Sequence, residues 1–104
     1  SDGKYLFSAD KNNFTHLNEN ILTINGKVTE LQFANYTKPE IFNDNIAITD
    51  KDQKKIYLFD SNSNLIPNFP VFGSSTIDFF KEKSSKKYIT CLGENNEILV
   101  YSFL

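Results

Sequence analysis

A β-hairpin pattern that returns every 42 residues constrains this chain more than any other feature of its sequence. The run Ile56-Tyr57-Leu58-Phe59-Asp60 matches Ile98-Leu99-Val100-Tyr101-Ser102, and 98 − 56 is an offset of 42. The same offset, without a gap, sets Ile46-Ala47-Ile48-Thr49 against Tyr88-Ile89-Thr90-Cys91. Subtracting 42 instead lands on Tyr5-Leu6-Phe7 and Phe14-Thr15-His16-Leu17, so three hairpin copies stand in register. Each copy is a short apolar strand, a polar turn and a second strand. The turns span 8–13, 50–55 and 93–97 and are rich in Asp, Asn and Gly, the residues that break strands and close hairpins.

A period of about 40 residues built only from strands indicates propeller blades. The pattern predicts an all-β chain of about 2.5 four-stranded antiparallel propeller-like blades, in one β-repeat domain over residues 1–104. Residues 1–27 make a partial blade with strands near 4–8, 13–17 and 20–24. Residues 28–73 make a full blade with strands near 28–36, 45–49, 55–60 and 64–72, and residues 74–104 a partial blade with strands near 75–81, 87–92 and 97–103. Between the hairpins, Leu31-Gln32-Phe33 resembles Ile77-Asp78-Phe79 at the longer offset of 46 (77 − 31). Pro67 and Pro70 cannot donate ladder hydrogen bonds, which makes their segment an edge strand broken by a turn. The runs Ile56 to Phe59 and Ile98 to Tyr101 are apolar on both faces, as strands covered from both sides must be. The chain ends before a last outer strand, which implies the C-terminal part of a larger propeller. A small β-sandwich or barrel is the alternative fold.

Composition narrows the class further. The chain has 104 residues, a net charge of −2, 39% hydrophobic and 23% charged residues, values of an ordinary globular domain. Ten Phe and five Tyr with only four Gly favour strands over loops. No apolar run reaches the roughly 18 residues a membrane helix needs, and no bulk positive charge favours nucleic acid. Lys81 to Lys87 is the densest basic stretch and reads as a solvated turn rather than a phosphate patch. The opening Ser1-Asp2-Gly3 reads as the start of a mature or excised piece, and the single cysteine, Cys91, leaves the redox compartment open.

Residues 56–71, with Asp60, the Asn62 and Asn64 turn and then Asn68-Phe69-Pro70, resemble the blades of quinoprotein-like and related secreted bacterial β-propellers. In those blades an apolar strand, an Asp, an Asn/Gly turn and a Gly-Phe-Pro follow one another, and here Asn68 stands in the glycine's place. The resemblance is clearest over 46–104, and the Asn-, Lys- and Phe-rich texture is similar to flavobacterial proteins. It implies a bacterial protein of the cell envelope or exterior and fixes no activity, because propellers host enzymes and binding platforms alike.

No catalytic, cofactor or metal residues emerge from the sequence. His16, the one histidine, has Leu58 and Val100 as its repeat partners, which puts it on a strand face that is apolar in the other copies, and it reads as a hydrogen-bonded structural residue. Cys91, partnered in the repeat by Thr49, reads as a small buried strand residue. Asp60-Ser61-Asn62-Ser63-Asn64 alternates oxygen side chains as calcium loops do but lacks their glycine and distal acid, so a turn is favoured. Asp50 and Asp52, beside Lys51 and Lys54, read as solvated turn charges rather than an acid–base pair. The expected function is non-enzymatic: scaffolding or protein–protein interaction, with a protein partner or self-association through open blade edges, no nucleic acid and no membrane span. The alternative is a sector of a larger propeller enzyme or ligand-binding protein whose site lies in other blades. Burying Leu58 or Phe59 contributes about 1.5–3 kcal/mol each, so Leu58→Asp or Phe59→Asp should unfold the chain, seen as loss of the β signal in far-ultraviolet circular dichroism.

Overall fold

The structure, a computed structural model, describes residues 5–33, 35–73 and 77–103. These hold eleven strands and no helix. In chain order they are β1 (Tyr5–Ala9), β2 (Phe14–Asn18), β3 (Ile21–Ile24), β4 (Lys27–Glu30), β5 (Glu40–Phe42), β6 (Asn45–Asp50), β7 (Lys55–Asp60), β8 (Val71–Phe72), β9 (Ile77–Lys81), β10 (Lys87–Leu92) and β11 (Ile98–Phe103). Strands adjacent in sequence pair antiparallel except β4 with β5 and β8 with β9, which leaves three separate sheets: β1 to β4, β5 to β8, and β9 to β11. The fold is all-β, as the repeat predicts.

Asparagine takes many of the tight-turn positions, which accounts for the scarcity of glycine. Of the eight described non-glycine residues with positive φ, four are Asn25, Asn43, Asn68 and Asn96, since asparagine tolerates the left-handed region best among side-chain-bearing residues. Asn25 (φ 51°) and Gly26 (φ 84°) form the two-residue turn from β3 to β4, with both residues left-handed as such a hairpin needs. Aspartates organise longer turns: Asp10 Oδ1 accepts from the amides of Asn12 and Asn13, and Asp60 Oδ1 from those of Asn62 and Asn64.

Face-to-face stacking holds the three sheets together. We call the side of a sheet toward the preceding sheet its front and the side toward the following sheet its rear. The rear of the first sheet (Leu17, Leu22, Ile24) packs on the front of the second (Ile46, Ile48, Phe59). The rear of the second (Ala47, Ile56, Leu58) packs on the front of the third (Ile77, Ile89, Cys91, Phe103). The middle sheet is thus buried on both sides, and every residue of β6 is buried. Polar links tie the edges: Lys87 Nζ donates to buried Asn45 Oδ1 at 2.9 Å, Tyr101 Oη to the Phe72 carbonyl at 2.7 Å, and Asn13 Nδ2 to Asp44 Oδ1 at 3.1 Å.

Three strand-level expectations are corrected. The strand expected to open the second sheet near 28–36 is residues 27–30, and it pairs with β3 as the fourth strand of the first sheet. The Asn25-Gly26 turn is the cause, because a two-residue hairpin forces the next strand back alongside β3. Consequently β1 and β2 are the first and second strands of their sheet, whereas β6 and β7 are the second and third of theirs, and the first hairpin is not a true copy of the other two. By facing direction, Ile46 and Ile48 correspond to Ile89 and Cys91 (89 − 46, an offset of 43), while Tyr57 and Phe59 correspond to Leu99 and Tyr101 at 42. The third hairpin's connection is one residue shorter, and a slip of one residue would turn each of these side chains to the wrong face. The proline-bearing segment behaves as predicted: Leu65 bridges Phe59, and β8 forms a two-residue edge of the second sheet.

Gly73, just past β8, is buried between the second and third sheets, where an added Cβ would lie 2.5 Å from Ile56 Cδ1 and 2.6 Å from Cys91 Sγ. Both neighbours are locked in the core, so Gly73→Ala should destabilise the fold by about 1–3 kcal/mol, read as a lower urea midpoint with an unchanged slope.

Candidate functional site

Two sheet faces carry apolar side chains with no sheet over them. On the front of the first sheet stand Tyr5, Phe7 and Phe14, all exposed, around His16. The His16 ring stacks on Tyr5 with centroids 5.3 Å apart and tilts against Phe14 at 5.7 Å. On the rear of the third sheet stand Ile98 (73% exposed), Val100 (54%) and Leu92, beside a stacked Phe80 and Tyr88 pair at 4.7 Å. The repeat makes these exposures meaningful. Ile98 and Val100 occupy the positions of Ile56 and Leu58, both 0% exposed because the third sheet covers them. Their partners correspond too, since Leu92 pairs Ile98 as Thr49 pairs Ile56. The expectation that β11 is covered on both faces is therefore corrected, since its rear face is open. Counting back from the hairpin turn, Phe14 and His16 likewise take the places of buried Ile46 and Ile48.

The residues weighed for chemistry are dispersed. His16 lies on β2 facing outward, in the place of Ile48 rather than Leu58, and its Nδ1 is buried without a hydrogen-bond partner, which corrects its reading as a hydrogen-bonded residue. Cys91 is buried in the second core cluster, as predicted. The Asp60 carboxylate is occupied by its own turn's amides, as an Asx turn requires. Lys83 and Lys86 are exposed, but Lys87 lies in β10, half-buried over the Phe103 ring at 5.3 Å and bonded to Asn45.

Asp50 departs most from expectation. It is fully buried, not solvated, because residues 35–37 run back across the hairpin end. Thr37 donates its amide to the Thr49 carbonyl, Lys51 to that of Asn35, and Asn35 Nδ2 reaches Asp52 Oδ1 at 2.9 Å. Asp50 Oδ1 accepts from the amides of Asp52 and Gln53, whereas Oδ2 and the Tyr36 hydroxyl are buried with no partner. Burial pushes the Tyr36 pKa up to about 12, against a smaller opposing pull from the Phe33 backbone, with Tyr57 and Asp50 adding to the rise. The Tyr36 phenol is therefore a weaker acid than usual and stays protonated, and the arrangement clamps the turn. Among the described residues no His, Cys, Asp and Glu cluster has metal-binding geometry, and no helix is long and apolar enough to cross a membrane.

No protein-family model, curated protein or solved structure matches this chain.

Glu40, half-buried in β5, is held above its ordinary pKa, first by burial and then by the Asp78 carboxylate. The folded chain therefore keeps this proton to higher pH than the unfolded chain does. The stability that follows is complete below the ordinary glutamate range and is lost as pH rises through the elevated value. Glu40→Gln should be more stable than the parent at neutral pH, with the difference vanishing near pH ~4, as followed by denaturant melts at both pH values.

Proposed function

We propose that the chain is a non-enzymatic, propeller-type module for scaffolding or protein–protein interaction, working as a sector of a larger stack of sheets in the bacterial envelope or exterior. One observation carries this reading: the terminal sheets expose apolar side chains at positions that the repeat buries in the middle sheet. A face of that kind on a folded protein is a contact surface, since monomeric proteins rarely leave extended apolar patches in water. The dispersal of the titratable side chains supports an interaction role over a reaction, because general acid–base or nucleophilic work requires such groups within hydrogen-bond reach of one another.

Val100→Glu and Phe14→Glu alter only outward-facing side chains, so each should keep the parent's circular dichroism and stability within about 1 kcal/mol. Binding of an apolar dye, measured at a dilution where sedimentation shows single chains, should be strong for the parent and several-fold weaker for each variant. Equal dye binding by parent and variants would overturn the reading.

A further inference from the structure

We infer that the open rear face of the third sheet docks on the open front face of the first sheet of a second copy, so that chains join head to tail. This rests on the preceding reading that both faces are contact surfaces, and it names what covers them. The two interfaces inside the chain set the pattern, each joining a rear face to a front face. Rear faces present Leu17, Leu22 and Ile24 in the first sheet, and Ile56, Leu58 and Phe42 in the second, with Phe42 stacked on Phe79 across the interface at 5.0 Å. Front faces meet them with Ile46, Ile48 and Phe59 in the second sheet and Ile89, Phe79 and Phe103 in the third.

The two open faces continue that pattern by position: Ile98 and Val100 stand where Ile56 and Leu58 meet the next sheet, and Phe14 and His16 stand where Ile46 and Ile48 meet the preceding one. The third sheet ends on Leu92, Ile98 and Val100 beside the Phe80 and Tyr88 rings, and the first begins on Tyr5, Phe7 and Phe14 with Val28. Each is the kind of surface the other meets within the chain. A symmetric pairing of two identical faces would cover one open face and leave the other in water, whereas head-to-tail contact covers both. Such a contact is heterologous and closes into a ring when the rotation per chain divides a full turn.

Analytical ultracentrifugation of the whole chain at tens of micromolar tests this. The parent should sediment as a multiple of 11.9 kDa. Val100→Glu and Phe14→Glu should each sediment as single chains, because each loses one half of every contact. Mixed in equal amounts they should form a 1:1 complex, since the intact front face of the first variant meets the intact rear face of the second. The double variant should neither self-associate nor join either single variant. A parent that remains a single chain at these concentrations overturns the inference, as does a mixture that fails to combine. If the parent is a single chain yet its dye binding depends on Val100 and Phe14, only the second copy is refuted and the contact-surface reading stands.

Discussion

Burial of the middle sheet on both faces is the interaction on which the rest of the structure depends. Its strands β6 and β7 contribute Ile46, Ile48 and Phe59 to one core and Ala47, Ile56 and Leu58 to the other. Neither neighbouring sheet has a second core of its own among the described residues, so both are stable only against the middle one. At about 25 cal/mol per Å² of apolar surface removed from water, two such interfaces dominate the favourable side of folding. This explains why strands with no polar face are tolerated in the middle sheet, where Lys87 holds Asn45 and the turn amides hold Asp50 Oδ1, while Thr49 Oγ1 and Asp50 Oδ2 are buried without a partner.

The same layering creates the molecule's surface character. A stack has two ends, and the end faces inherit side chains suited to burial from the pattern that built the interior. Nothing local distinguishes Ile98 from Ile56: both are β-branched residues at the same place in a hairpin. What differs is that a described sheet covers Ile56 and none covers Ile98. The open faces are accordingly a consequence of the repeat rather than a feature added to it.

Turn chemistry, more than strand chemistry, decides how strands divide among sheets. The left-handed Asn25 and Gly26 add β4 to the first sheet, and the shorter third hairpin shifts β10 by one residue relative to β6. Residues 35–37 fold over the end of the second hairpin and convert Asp50 from a candidate surface charge into a buried turn clamp. Each of these is a connection of a few residues with effects on a whole face.

The sequence by itself determined the strand content, the hairpins, the edge character of the proline-bearing segment and the burial of Cys91, because alternation, β-branching, Asn turns and proline act within a few residues of chain. The Asn25-Gly26 signal that divides the first two sheets was also present there, though identity at the 42-residue offset pointed elsewhere. Only the tertiary structure decided which face of each strand is covered, where His16 points, that Asp50 is buried, and which apolar side chains remain in water. Those properties depend on contacts between residues tens of positions apart, and a shift of one residue in register, invisible to composition and barely visible to periodicity, exchanges the two faces of a strand.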